Sequence, residues 1–449
     1  MKSHIFREYD IRGIFPDELN NDTVHTLGLA IGAYYMDKGA RRVSVGRDCR
    51  LSSPELSKFL TKGLTESGVS VIDLGMVPTP LLYFSIHNLN VDGGIQITGS
   101  HNPPEFNGLK ICLGKGSVYG EEIQKIRKIV ESSVFSSGNG SIETEDIKPS
   151  YIEYLGHNIT SGASGSRVVV DAGNGAGGHV ACEVYRNMGF EVVPLFCEPD
   201  GRFPNHHPDP TIPENLATLI SRVKDEKADL GIAFDGDADR IGVVDKEGNV
   251  IWGDQLMIIF ARDLLLRHPG AAIIGEVKCS QVLYDDIEAH GGRAIMWKAG
   301  HSLIKSKMKE EHALLAGEMS GHLFFGERYF GFDDAIYAGA RLLEIVSRTG
   351  KTPGELLAGI PTMVNTPEIR MDCPEERKFE IVSSLVNEFK KDYKVIDVDG
   401  ARVIFDKGWG LVRASNTQPV LVLRFEATDQ GRLDQIRKIF MEKLEKVYT

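Results

Sequence analysis

Along most of the chain, short apolar runs rich in β-branched residues alternate with amphipathic stretches of helical period. The first third reads RVSVG, PELSKFLTKGLTESG, VSVIDLG, PLLYFSIHNL and GGIQITGS. The second reads RVVVD, a helical stretch after GNGAGG, then FEVVPLF, ENLATLISRVKDE and LGIAFDGD. The third reads AAIIGEV, SQVLYDDIEAHGG, AIMWKAG, HSLIKSKMKEE and ALLAGEMSGH. Strands alternating with helices in this way predict βαβ units and mainly parallel sheets. The shared order predicts one α/β unit used three times. The remainder departs from it: MDCPEERKFEIVSSLVNEFKKDY reads as one helix, ARVIFDKGWGLVR and PVLVLRFEA as antiparallel strands, and GRLDQIRKIFMEKLEKV as a closing helix. The fold class is therefore α/β: three related units with mainly parallel, mixed sheets and a smaller α+β C-terminal domain. The boundaries fall at 1–147, 148–250, 251–361 and 362–449.

Each unit ends its third strand in a polar motif: TGSHNP, DGDADR and GEMSGH. Open α/β sheets bind ligands at the carboxyl ends of their strands, so three such ends can meet in one central cleft.

Composition narrows the function. The 449 residues carry 51 Lys and Arg against 63 Asp and Glu, a net charge of −12. That excludes a broad nucleic-acid or acidic-membrane surface and leaves small-molecule chemistry. MKSHIFREYDIRG has no apolar leader core, and the longest apolar run, LMIIFARDLLL, is interrupted by Arg262 and Asp263. The six cysteines are scattered with no C-x-x-C pair. Together these predict a cytoplasmic protein with reduced thiols.

Asp235, Asp237 and Asp239 alternate in DGDADR, so in an extended segment they face one way. Close carboxylates of this kind suit a hard cation. An EF-hand loop is excluded, because its sixth position would be Arg240 and its twelfth Lys246. In TGSHNP, Ser100 is either part of a polar turn or a nucleophile presented on a loop. GEMSGH combines Glu318, able to accept two hydroxyl protons from a polyol, with His322, suited to proton transfer, or is a turn with a solvated Glu and a structural His. In RASNTQP, Arg413 offers a fork of donors that matches phosphate, with Ser415, Asn416 and Thr417 beside it. GNGAGG matches a dinucleotide fingerprint after a strand, but that strand ends in Asp171, whose charge would crowd a pyrophosphate. His206 and His207 in FPNHHPDP read as part of a rigid loop and not as a metal site.

The four motifs, in this order from about Arg7 to Ala427, resemble the α-D-phosphohexomutase family. GEMSGH and the following LFFGERYFGFDDAIYAGARLLEI are most similar to its bacterial phosphomannomutase/phosphoglucomutase branch. The phosphoglucosamine branch typically carries Gln at the position of Met319 and a Gly-Thr-Glu-Pro ending in place of Asn416-Thr417-Gln418-Pro419. Ala238 stands where the family often has Gly. The resemblance implies an isomerase that moves a phosphoryl group between the 1- and 6-positions of mannose or glucose phosphates. Ser100 would be phosphorylated, and Mg²⁺ would be held by Asp235, Asp237, Asp239 and a phosphoserine oxygen. A hexose 1,6-bisphosphate would be intermediate and activator. Glu318 and Ser320 would read sugar hydroxyls, and Arg413, Ser415, Asn416 and Thr417 would hold the phosphate that is not reacting. Tyr9, Arg240, Lys278 and His301 would contact substrate. Lys110 and His322 would transfer protons, with His101 and Arg12 assisting near the serine. The expected partners are hexose phosphates only, with no nucleic acid or membrane, and a monomer with a dimer as the alternative. A C-terminal domain that closes over the substrate is expected. A phosphoglucosamine mutase and a metal-dependent sugar phosphatase are the alternative functions.

Overall fold

The computed structural model describes every residue except 161, 163, 164, 417 and 449. One sheet plan recurs three times. In the first unit, strands Ser70–Met76, Arg42–Arg47 and Gly93–Ile97 lie parallel in that order, and Phe106–Leu113 returns antiparallel beside the last. In the second, Glu191–Leu195, Arg167–Asp171 and Leu230–Phe234 are parallel, followed by antiparallel Ile241–Asp245. In the third, Arg293–Trp297, Ala272–Glu276 and Leu315–Gly317 are parallel, followed by antiparallel Leu323–Phe325. The central strands RVVVD, LGIAF and AIIGE are almost wholly buried, as near-continuous apolar runs covered on both faces must be.

This plan fixes the places of the motifs. TGSHNP, DGDADR and GEMSGH each join the third parallel strand to the antiparallel return. The first sheet is extended by Ile11–Ile14, antiparallel to Phe106–Leu113, which brings the N-terminal segment to the same edge.

The last sheet is antiparallel throughout, ordered Val364–Asn365, Val420–Ala427, Gly408–Ala414, Ala401–Phe405 and Lys394–Ile396, with Ile369–Asp372 also on Val420–Ala427. Helices Lys378–Phe389 and Gln430–Tyr448 pack on it through Leu385, Phe389, Ile436 and Phe440. The single helix expected from Met371 onward starts late: Met371 and Asp372 end strand Ile369–Asp372, and the helix runs only over Lys378–Phe389. Pro374 has no N–H and disfavours the helical region for Cys373, whose N–H instead donates to Pro419 O at 2.9 Å.

One apolar core runs through the first three units. It joins Leu81 and Phe84 of helix Thr79–Asn88, Tyr151 and Leu155 of Lys148–Asn158, Tyr185 of Gly178–Asn187, Phe260 of Gly253–Arg267 and Ile336 of Ala335–Thr349. The C-terminal unit has a core of its own. Among the described residues, no helix is long and apolar enough to cross a membrane. All six cysteines are free thiols.

Candidate active site

Ser100 sits at φ +48°, a left-handed conformation that lifts its hydroxyl out of the loop. Its N–H donates to Thr98 Oγ1 at 2.8 Å. Its Oγ donates to Asp235 Oδ2 at 2.8 Å and lies 3.1 Å from His101 Nδ1. The serine of the first unit thus faces the aspartates of the second.

DGDADR folds back on itself. Asp235 Oδ1 accepts from the N–H groups of Asp239 and Arg240, each at 3.1 Å, and Ala238 turns the chain at φ +56°. One oxygen from each of Asp235, Asp237 and Asp239 lies within 4.8 Å of the others, and all three side chains are fully buried. Lys110, on the return strand of the first unit, donates to Asp237 Oδ2 at 2.9 Å and to Asp239 Oδ2. Thr79 donates to Asp237 Oδ2 at 2.5 Å. Burial and the charges of Asp239 and Asp237 push the Asp235 carboxyl well above its usual range. Burial works against the Lys110 ammonium, but Asp237 and Asp239 outweigh it and raise its pKa.

The triad fits a hard divalent cation. Its donors are all oxygen, and Oδ1 of Asp237 is buried with no hydrogen-bond partner. Asp239, His322 and Asp333 form a second close group. There Lys305 Nζ already lies 2.9 Å from Asp333, and Arg240 Nε 3.4 Å from His322.

GEMSGH closes the other side. His322 Nδ1 donates to Glu318 Oε2 at 2.7 Å, and its Nε2 lies 3.3 Å from Asp239 Oδ1. Burial opposes the charged imidazole, but Asp239 and Glu318 outweigh it and raise its pKa to about 9. Glu318 responds in the opposite sense: despite its burial, His322 and Lys278 bring it to about 2, and it also accepts from Gly300 N–H at 2.6 Å. Ser320 Oγ lies 3.1 Å from His322 Nδ1. His301 stacks on His322 with centroids 5.8 Å apart. Burial and Lys305 hold it well below the usual histidine range. His101 is lowered in the same way by burial, Arg240 and Arg12.

The remaining residues form a polar belt. Arg12 donates to Asp10 at 2.5 Å and to Asn102 of the serine loop. Tyr9 donates to Ala299 O at 3.0 Å and accepts from Asn416 Nδ2 at 2.7 Å, so the first, third and fourth units meet at one hydroxyl. Arg413 Nε donates to Asp399 at 2.8 Å, and Lys278 Nζ to Glu368 at 3.1 Å. Ser415 Oγ accepts from Gln418 N–H at 3.2 Å. Thr417 lies outside the described residues. The geometry therefore gathers Ser100, His101, Lys110, Asp235, Asp237, Asp239, Arg240 and His322 into one hydrogen-bonded group. Lys278, Arg413, Ser415 and Asn416 belong to the face that the fourth unit closes.

Four family models match the chain in order. They are the phosphoglucomutase/phosphomannomutase alpha/beta/alpha domains I, II and III, at residues 3–137, 149–248 and 252–363, and the C-terminal domain at 368–443. The chain belongs to the phosphoglucomutase/phosphomannomutase family. Similar family members include the phosphomannomutase/phosphoglucomutase of Pseudomonas aeruginosa, 49% identical over 100% of this chain and 96% of that protein. A phosphoglucomutase of Neisseria gonorrhoeae is 48% identical over 98% of this chain and 96% of that protein. A crystal structure of a phosphoglucomutase/phosphomannomutase family protein from Burkholderia thailandensis superposes with a TM-score of 0.93 at 43% identity, covering 100% of this chain and 98% of that one. As a member of this family the chain is a mutase, an isomerase of phosphohexoses.

Several residues of this candidate site are invisible to motif reading. Asp48 and Arg50 lie behind the serine loop, Thr79 holds Asp237, and Asp399 holds Arg413. The only signal for the first pair is the polar run RDCRLSS directly after a strand.

Proposed function

We propose that the chain interconverts the 1- and 6-phosphates of mannose or glucose in the cytoplasm, as a monomer, with Ser100 carrying the phosphoryl group. The observation that carries this reading is Ser100 Oγ, buried and 2.8 Å from Asp235, facing the triad of the next unit. Asp235, Asp237 and Asp239, with an oxygen of the seryl phosphate, would hold Mg²⁺. A bound Mg²⁺ neutralises the charge that spreads over a transferring phosphoryl group. The four units, at 1–147, 148–250, 251–361 and 362–449, would supply the serine, the metal loop, the sugar loop and the phosphate loop in turn.

Transfer then needs few groups. A sugar hydroxyl attacks the seryl phosphate; the new O–P bond forms as the Ser100 Oγ–P bond breaks. On the serine side, His101 Nδ1 is 3.1 Å from Oγ and, held neutral, exchanges the serine proton. Arg12 steadies the same loop through Asn102. On the sugar side, His322 and Lys110 would move the hydroxyl proton once Mg²⁺ on the aspartates offsets the charge that holds both in their protonated forms, with Arg240 beside them. Glu318 and Ser320 accept and donate to sugar hydroxyls, and Tyr9, Lys278 and His301 line the approach. Arg413, Ser415, Asn416 and Thr417 grip the second phosphate. The hexose 1,6-bisphosphate turns round in the cleft, and Ser100 takes back the other phosphate. Added hexose 1,6-bisphosphate activates by charging Ser100.

Intact mass before and after hexose 1,6-bisphosphate and Mg²⁺, with peptide mapping, tests the reading. One phosphate on Ser100, absent from Ser100→Ala together with nearly all turnover, is expected. Absence of phosphate under both conditions overturns it, and steady release of inorganic phosphate without isomerisation marks a phosphatase instead.

A further inference from the structure

Arg50 has no exposed side-chain surface. It follows strand Arg42–Arg47 and precedes helix Ser53–Glu66. Its guanidinium points at the backbone of the serine loop. Nη2 donates to the carbonyls of Ser100 at 2.8 Å and Asn102 at 2.5 Å. Nη1 donates to those of Pro103 at 2.5 Å and Phe106 at 3.0 Å. Its Nε donates to Asp48 Oδ2 at 3.1 Å, and that same oxygen accepts from Gly99 N–H at 3.1 Å. Ser53 donates to the other Asp48 oxygen at 2.5 Å. One buried ion pair therefore holds the loop from Gly99 to Phe106 by five of its backbone groups.

The fit leaves no slack. A Cβ at Gly99 would stand 2.5 Å from the guanidinium carbon. The second unit seals the outside: the Phe203 ring lies 5.1 Å from that carbon, and a Cβ at Gly201 would stand 2.6 Å from Arg50 Cα. A left-handed serine costs roughly 1 kcal/mol and persists only where its surroundings over-determine it. Here the Ser100 N–H is held by Thr98 and its carbonyl by Arg50.

We propose that Arg50, oriented by Asp48, is a positioning residue for phosphoryl transfer, and that it aims the Ser100 side chain. The proposal rests on Ser100 being the phosphate carrier. Only arginine meets the demand. Four carbonyls need a planar fork of donors, which a lysine ammonium lacks, and the guanidinium cannot shed its charge. Arg50 touches none of the residues assigned to the sugar, so its loss should weaken transfer and spare recognition.

The test is Arg50→Lys, with Asp48→Asn as the second variant should the first fail to fold by circular dichroism. Wild-type and variant enzymes are charged with hexose 1,6-bisphosphate and Mg²⁺. The lifetime of the seryl phosphate without substrate is followed by intact mass, and kcat and KM are measured separately. Misaiming a reacting group by about 1 Å costs about a hundredfold, so kcat should fall by about that factor in Arg50→Lys and by about tenfold in Asp48→Asn, with KM within about threefold. The lifetime of the seryl phosphate should shorten by about tenfold, because a misaligned phosphate is open to water. A lower melting temperature with kcat and phosphoserine lifetime unchanged means a strut only and overturns the proposal. Wild-type enzyme that takes up no phosphate overturns the carrier reading and this proposal with it. Uptake by wild type with unaltered variants overturns this proposal alone.

Discussion

Asp334 is a carboxyl group sealed between three tyrosines. It caps helix Ala335–Thr349 by accepting from Tyr337 N–H at 2.8 Å, and it accepts from Tyr151 and Tyr329 at 2.9 and 2.6 Å. Burial outweighs these donors and raises its pKa from 3.8 to about 6. The folded chain thus holds this proton more tightly than the unfolded one. The stability it contributes is full below about pH 3.8 and is lost as pH rises through about 6. The loss is on the order of 3 kcal/mol. Asparagine also caps helices well. Asp334→Asn should therefore gain on wild type between pH 4 and 7.5 in chemical denaturation; parallel pH profiles for the two would contradict this. At this scale the sequence is legible where a side chain carries its own chemistry. Three alternating aspartates and a serine in a loop announce themselves. Arg50 and Asp334 do not, because the contacts that define them reach backbone carbonyls about fifty positions away and Tyr151 nearly two hundred positions away in the chain.

Loops and strands raise a different question, that of what keeps the metal loop in shape. GNGAGG, which fits a nucleotide fingerprint as a string of letters, is its platform. Ala176 N–H donates to Gly236 O at 3.0 Å. A Cβ at Gly175 would stand 2.7 Å from Gly236 O, and one at Gly177 would stand 2.5 Å from the Ala238 methyl. Asp171, at the end of the preceding strand, is taken by Gly173 N–H at 2.9 Å and by His206 Nε2 at 3.1 Å, so His206 belongs to a loop that buttresses this turn. Gly175→Ala should push DGDADR off its platform and weaken Mg²⁺ activation by about tenfold, by analogy with an outer-shell partner of a metal site. A Mg²⁺ titration of activity with unchanged half-saturation would refute that role. The parallel strands and their helices are legible because period and β-branching are local. The antiparallel return in the first and third units is not, since FNGLKICL and LFF carry no mark of direction. The break at Pro374 is legible only if one proline is weighed above a helical period.

The whole molecule divides unevenly. One apolar core runs through the first three units, the first adding a core of its own around Leu27, Val43 and Ile95, whereas the fourth is docked through a small apolar cluster of Val277, Trp409 and Leu411 and through polar and cationic contacts. Arg402, fully buried, stacks 3.7 Å from the Trp409 ring centroid and donates to the carbonyls of Val277 and Cys279 at 2.5 and 2.8 Å. Arg424 donates to Lys278 O at 2.5 Å, and Glu426 accepts from Ser280 Oγ at 3.0 Å. The fourth unit is therefore clamped to the loop that bears Lys278, so any motion of one should carry the other. Calorimetry should resolve two transitions, a small one for residues 368–443 and a large one for the rest, because cooperativity follows shared apolar contact. A single transition with matching calorimetric and van't Hoff enthalpies would show one cooperative body. Three α/β units and a distinct last module are visible in the pattern of the chain. The sharing of one core by three of them is not, since any apolar face can be written to fit a neighbour or its own sheet.

Tyr9 joins the two ends of the chain across the cleft, and the stretch from Leu357 to Met363 that leads into the fourth unit is mostly open to solvent. A protease that nicked this stretch would leave the serine, the metal loop and the sugar loop intact and leave the grip on the second phosphate held only by non-covalent contacts, from which it could come away. Such a remnant would still pass its phosphate to a sugar, yet it would let the bisphosphate drift away. Damage at one exposed connector would thus turn a catalyst that conserves its intermediate into a leak.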